Sequence, residues 1–236
     1  MTARSKLLAD LPGSPRLWLI LCAAGICVCA FFVVEHYVFG DPPGGAEAFD
    51  RTVAQFIQQF RSPALTGRIM EISALGSAPV LVVLALLAYS VILRARDRLG
   101  LLHLSVALVG ASVLSRLLQG LFERERPEGL LPLIVVTPGS FPSAHSFGAA
   151  ACYATFAFFY ARYAPGLAAE VVCYVVAAVI VLLIGATRVY LGAHHATDVL
   201  AGLAAGAAWA FLVAAVFSFW YRESGVGTAA GRSGNR

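Results

Sequence analysis

One arginine, two histidines and one aspartate stand between two long apolar runs in the stretch Thr187-Arg188-Val189-Tyr190-Leu191-Gly192-Ala193-His194-His195-Ala196-Thr197-Asp198. Charged groups beside hydrocarbon are costly unless they face a partner or a wet cavity, so such a cluster is a candidate site; the plainer reading is a polar hinge between membrane helices. His194 and Asp198 are four residues apart, a spacing that lets the carboxylate reach the imidazole if the turn is helical. Two other segments have the same character. Arg116-Leu117-Leu118-Gln119-Gly120-Leu121-Phe122-Glu123-Arg124-Glu125-Arg126-Pro127 ends on a proline that stops a helix and leaves Arg126 at its rim. Phe141-Pro142-Ser143-Ala144-His145-Ser146 precedes an apolar run, with Ser143 as a good N-cap and free amides behind it, the makings of an anion site. Histidines, guanidinium forks and helix-start amides suit phosphoryl transfer, which needs a nucleophile, an acid and fixed positive charge around three oxygens.

The elements that must position these residues are apolar helices. Of the 236 residues, 59% are hydrophobic and 13% charged, against about 45–50% and about 25% in soluble domains. The composition therefore predicts an integral membrane protein. Apolar runs predict six transmembrane helices at about 17–38, 78–93, 101–122, 143–160, 167–186 and 198–221, in an all-α polytopic bundle. Phe49, Val53, Phe56, Ile57 and Phe60 recur at helical spacing among polar residues, which predicts an amphipathic segment over about 47–62, lying at the interface as a shoulder of the bundle. Residues 1–16 read as a short polar N-terminus. Residues 222–236, rich in Gly, Ser and Arg, read as a disordered tail.

Six crossings put both termini on one face. Arg4, Lys6, Arg16, Arg94, Arg96, Arg98, Arg162 and Arg222 fall on that face, so the positive-inside rule makes it cytoplasmic. The three polar clusters then share the extracytoplasmic face of a cell membrane. The net charge of +4 comes mostly from arginines at loop positions, with no basic cluster interleaved with aromatics, so nucleic acid is excluded as a partner. Cys22, Cys27, Cys29, Cys152 and Cys173 lie inside apolar runs without metal-ligand spacing and read as small buried hydrophobes; no metal site is visible. His36 and His103, near helix ends, read as interfacial.

The three clusters resemble the three signature motifs of the type 2 phosphatidic acid phosphatase family, whose fold is shared with acid phosphatases and vanadium haloperoxidases. That pattern asks for Lys, six residues, Arg-Pro; then Pro-Ser-Gly-His; then Ser-Arg, five residues, His, three residues, Asp. The chain has Gln119, six residues, Arg126-Pro127; Pro142-Ser143-Ala144-His145; and Thr187-Arg188, five residues, His194, three residues, Asp198. The resemblance implies a haloperoxidase-like helical core over about residues 17–221. It implies His194 as nucleophile through a phosphohistidine, Asp198 on the other ring nitrogen of His194, and His145 as the acid for the leaving group. Arg126, Arg188, Ser143 and the backbone at Ala144 would cradle phosphate, without metal or cofactor. His195 falls outside the matched positions.

The implied activity is removal of phosphate from a lipid: phosphatidic acid, phosphatidylglycerol phosphate or a polyprenyl pyrophosphate. Transfer to a second lipid through the same site, and anionic-lipid binding or transport without chemistry, are the alternatives. Two departures from the pattern bear on this. Ala144 replaces glycine, a small change. Gln119 replaces lysine and removes a cation; Arg116, one helical turn earlier, or Arg124 restores the charge, or the chain is weak or selective for a less charged head group. Oligomeric state is not legible, because Gly202 and Gly206 fit packing within the bundle as well as dimerisation.

Overall fold

The computed structural model describes residues 15–40, 45–127, 132–136, 139–163 and 166–223. Of the predicted terminal segments 1–16 and 222–236, residues 1–14 and 224–236 lie outside the described residues, and residues 15–16 and 222–223 belong to the helices that follow and precede them. Helices α1 (Pro15–Phe39), α2 (Gly45–Gln58), α3 (Pro63–Ala74), α4 (Ala78–Arg94), α5 (Arg98–Leu121), α6 (Ala144–Tyr163), α7 (Leu167–Tyr190) and α8 (Ala196–Glu223) follow in order. The six long helices predicted from apolar runs are α1 and α4–α8. Five stretches, Leu17–Phe39, Pro63–Arg94, Arg98–Leu121, Leu167–Tyr190 and Ala196–Tyr221, are long and apolar enough to cross a membrane. Among the described residues the protein is an all-helical, multi-span membrane bundle.

Helix α8 is its axis. Of the most apolar window of α8, 56% is buried, against 28% or less in the other four spans, whose outer faces present Val82, Leu86, Val109, Val175 and Leu182 to the bilayer. α6 lies along α8, and glycines set their separation. A Cβ at Gly202 would stand 2.5 Å from the Ser143 carbonyl oxygen, and one at Gly206 2.3 Å from that of Phe147. The small-residue stripe of α8 is thus spent on α6. On the facing side, Trp209 fits over Gly110 of α5 and donates Nε1–H to the Ala107 carbonyl at 2.9 Å.

Local signals account for the helix starts. Ser62 caps α3 by accepting from Leu65 N–H at 3.3 Å, with Pro63 in the first turn, where its missing N–H costs nothing. Asp97 caps α5 through Gly100 N–H at 2.7 Å. The amphipathic segment is α2, and its role is larger than a shoulder: Ala46 and Asp50 on its inner face are buried. α3 was not legible as a separate helix. Arg61, between α2 and α3, donates Nε–H and Nη2–H to the Tyr190 carbonyl at 2.9 and 2.6 Å, capping the negative end of α7.

Two expectations change. His103 is not interfacial: it is 1% exposed and stacks on Phe217 at 4.6 Å, among Phe158, Phe159 and Tyr221. Its ring lies at the core side of α5, away from the cluster face. Of the cysteines only Cys152 is buried; Cys22 and Cys29 are exposed on α1, where hydrocarbon rather than protein satisfies an apolar thiol.

Candidate active site

The turn between α7 and α8 carries His194. Gly192 takes φ 70° there, a conformation glycine enters without steric cost. His194 is buried, and its Nδ1 lies 2.9 Å from the Ser140 carbonyl. A carbonyl only accepts, so Nδ1 carries the hydrogen and Nε2 keeps its lone pair. That nitrogen lies 3.4 Å from Nη1 of Arg126. Arg126 is itself held by the carbonyls of Ala193 and Gly139, the latter at 2.9 Å. Burial pulls the His194 imidazole below its ordinary value of 6.5; the Arg126 and Arg188 charges add to this and Asp198 opposes it.

Arg188 occupies the last turn of α7. Its Nη1–H donates to the Ser73 hydroxyl at 3.0 Å, while its buried Nε–H has no protein partner among the described residues. Buried donors are nearly always satisfied, so an unpaired one on a cation marks room for an anionic ligand. His145, in the first turn of α6, donates Nε2–H to the Ser73 carbonyl at 2.8 Å.

Ser143 caps α6 and is fully buried. Its Oγ accepts from Ser146 N–H at 3.4 Å and from the Ser146 hydroxyl at 3.0 Å, and its own N–H donates to the Asp198 carbonyl at 3.0 Å. Ser143 therefore supports the helix start, and the amides of Ala144 and His145, which precede any intrahelical acceptor, remain as donors. Phe141, fully buried, packs against Phe31, Phe39 and Phe122, so α1 and the end of α5 hold the loop that leads into α6.

Asp198 is brought to the site, but its carboxylate is divided differently from the expectation. It accepts from Arg124 Nη1 at 2.5 Å, from the Ser140 hydroxyl, and from His195 N–H at 2.8 Å. Its distance to His194 Nδ1 is 3.7 Å. The nitrogen that Asp198 was expected to hold is held by the Ser140 carbonyl instead, and Asp198 holds Ser140. His195, outside the motif, contributes its amide and places Nδ1 3.3 Å from the same carboxylate.

Neither candidate for the missing cation fills the gap at Gln119. Arg124 is consumed by Asp198, by Asp50 at 2.8 Å and by Thr197 Oγ1 at 2.7 Å. Arg116 is exposed on α5. Gln119 donates Nε2–H to the Pro142 carbonyl at 3.1 Å and so braces the loop before α6. Residues that the motifs did not flag complete the surroundings: Asp50, which also accepts from Thr197 N–H and Oγ1–H at 2.9 and 2.6 Å, together with Ser140 and Ser73. Two of these act through backbone carbonyls, which every residue has, so no side-chain pattern signals them.

Two histidines with assigned donor nitrogens, two guanidiniums and a helix start converge from the three motif segments, and residues 100–222 match the model of the PAP2 superfamily. The chain belongs to the PAP2 superfamily. Phosphatidylglycerophosphatase B of Bacillus subtilis is 41% identical over 102 residues, 43% of this chain and 50% of that protein. Lipid A 1-phosphatase of Rhizobium johnstonii is 42% identical over 79 residues, 34% of this chain and 28% of that protein. The chain spans half or less of the length of these curated relatives. Among solved structures, the transmembrane PAP2 type phosphatidylglycerolphosphate phosphatase from Bacillus subtilis superposes with a TM-score of 0.73 at 27% identity, over 90% of this chain and 98% of that one. The PAP2 fold thus extends beyond the matched residues to α1–α4.

Proposed function

We propose that this PAP2 protein is a membrane phosphatase that removes the phosphate from a lipid phosphomonoester, with phosphatidylglycerol phosphate as the favoured class. The observation that carries the reading is the unprotonated Nε2 of His194 beside Arg126, at 3.4 Å, within a site where Arg188 keeps an unpaired N–H. The names of the Bacillus subtilis relative and structure support the head group. The brace at Gln119, neutral where the family pattern has lysine, suits a monoester better than a more highly charged pyrophosphate.

In the proposed reaction, His194 Nε2 attacks phosphorus and the bond to the lipid oxygen breaks. His145 gives its proton to the departing alkoxide, leaving a phosphohistidine. Water then attacks phosphorus, His145 takes its proton, and the N–P bond breaks to release inorganic phosphate. Acid–base help of this kind is worth about 10²–10⁴-fold. Arg126, Arg188 and the amides at Ala144 and His145 supply the positive charge, so no metal is required. The basic residues at the termini and at the α4–α5 turn support an extracytoplasmic site under the positive-inside rule, at the rim where a lipid keeps its tails in hydrocarbon.

Purified protein assayed with phosphatidylglycerol phosphate, phosphatidic acid and a polyprenyl pyrophosphate tests the reading. Expected are phosphate release unaffected by EDTA, inhibition by vanadate, and loss of both turnover and acid-labile labelled enzyme in His194→Ala. Binding of all three lipids without release sinks it. Phosphate appearing on a second lipid rather than in solution would make the protein a phosphotransferase.

A further inference from the structure

We propose that Ser73, at the carboxyl end of α3 and outside all three motifs, is the positioning residue for both Arg188 and His145. The inference rests on the phosphate chemistry proposed above and adds how its two movable groups are set. Ser73 is 5% exposed and uses each of its polar parts on a different partner. Its hydroxyl lies 3.0 Å from Nη1 of Arg188, and its carbonyl 2.8 Å from Nε2 of His145.

The two contacts have different consequences. The carbonyl only accepts, so it holds the hydrogen on His145 Nε2 and makes Nδ1 the nitrogen that gains and loses the catalytic proton. The second lone pair of the same oxygen accepts from Gly76 N–H at 3.1 Å, which ties the contact to the turn between α3 and α4. The hydroxyl fixes one arm of the Arg188 fork and thereby aims the unpaired Nε–H. The carbonyl end of a helix also carries partial negative charge, which favours a guanidinium and an imidazole hydrogen beside it.

The closeness of this turn to the imidazole depends on Gly76. A Cβ there would lie 2.9 Å from both Nε2 and Cδ2 of His145 and 2.6 Å from Ile184 Cγ2. Ile184 is fully buried and cannot move aside easily. Arg61 anchors the other end of the unit: with Ser62 and Thr66, it grips Tyr190 at the end of α7. Arg188 lies on that same last turn, so these contacts tie α3 to the turn that carries it. Gly76→Ala should therefore disturb His145, and Ser73→Ala should disturb Arg188, from neighbouring points of one turn.

The experiment measures vanadate affinity by calorimetry, and KM and kcat with phosphatidylglycerol phosphate, on the purified full chain and its variants. Ser73→Ala keeps the carbonyl and loses the hydroxyl. It should weaken vanadate binding and raise KM by about ten- to a hundredfold, with kcat within twofold, the scale of one hydrogen bond to a charged group. Ser73→Thr restores both values. Gly76→Ala should lower kcat by about tenfold or more while KM holds, as expected when a proton donor is misplaced. Unchanged vanadate affinity in Ser73→Ala, or no recovery in Ser73→Thr, overturns the proposal, as does a parallel fall of kcat and melting temperature with KM unmoved. Wild-type protein that binds vanadate yet hydrolyses no lipid phosphate overturns the proposed function instead, and the affinity ratio still judges Ser73.

Discussion

The carbonyl of Ser140 accepts the Nδ1 hydrogen of His194 at 2.9 Å, while the carboxylate of Asp198 stands 3.7 Å from the same nitrogen. The tautomer of the nucleophilic candidate is therefore set by backbone. Asp198 acts one step back, by holding the Ser140 hydroxyl and neutralising Arg124.

That arrangement predicts the acid limb of the pH profile. Burial lowers the His194 value below 6.5, so Nε2 stays unprotonated as pH falls past the point where an exposed histidine would titrate. The limb of kcat/KM reporting the free protein should lie below pH 6.5. The stability sign agrees: with the folded value depressed, the unfolded chain binds more protons below 6.5, so stability is full above 6.5 and falls as pH drops toward the folded value. Nitrogen-15 NMR of labelled histidine, with His194→Ala for assignment, checks both; titration of His194 at or above 6.5 contradicts them.

Asp50 should matter beyond its place on an amphipathic helix. It takes one arm of Arg124 and both donors of Thr197, and its side chain is 2% exposed. Arg124 keeps Asp198 at 2.5 Å when Asp50 is lost, so the cost stays below the about 3–5 kcal/mol of a buried charge left wholly unpaired. Asp50→Asn should lower the melting temperature in detergent and reduce turnover. A stable, fully active variant would place the structural burden elsewhere.

Gln119→Lys restores the cation of the family pattern while keeping a donor near the Pro142 carbonyl. Turnover of a lipid pyrophosphate should rise by about two- to fivefold relative to the monoester, the scale of one partly exposed charge contact. Arg116→Leu, on the exposed face of α5, should leave both rates unchanged. The ratio of kcat/KM for the two substrates is the measurement; a ratio that Arg116→Leu shifts would return Arg116 to the site.

Gly206→Ala tests what the glycine stripe does. Its Cβ would meet the Phe147 carbonyl at 2.3 Å, a backbone atom that moves only with α6. Overpacking of this kind costs about 1–3 kcal/mol. The variant should melt earlier with its oligomeric state unaltered by size-exclusion chromatography with light scattering. A change of state at constant stability would assign the stripe to an interface between copies.

By itself the sequence determined that His145, His194, Asp198, Arg126 and Arg188 belong together, because side-chain identity and spacing survive in a linear string. It also determined where the long helices run, although among the described residues five stretches are apolar enough to cross a bilayer, α6 not among them. Only the tertiary structure decided how those residues are held. Ser140 and Ser73 act on the histidines through carbonyls, and a carbonyl has no signature in sequence. Arg124 and Asp50 are 74 residues apart and reveal their partnership only once α2 packs on α8. The same holds for His103, which hydropathy puts near a helix end and which packing puts among aromatic rings. Long-range contacts are set by the folded path of the chain, and no local pattern encodes them.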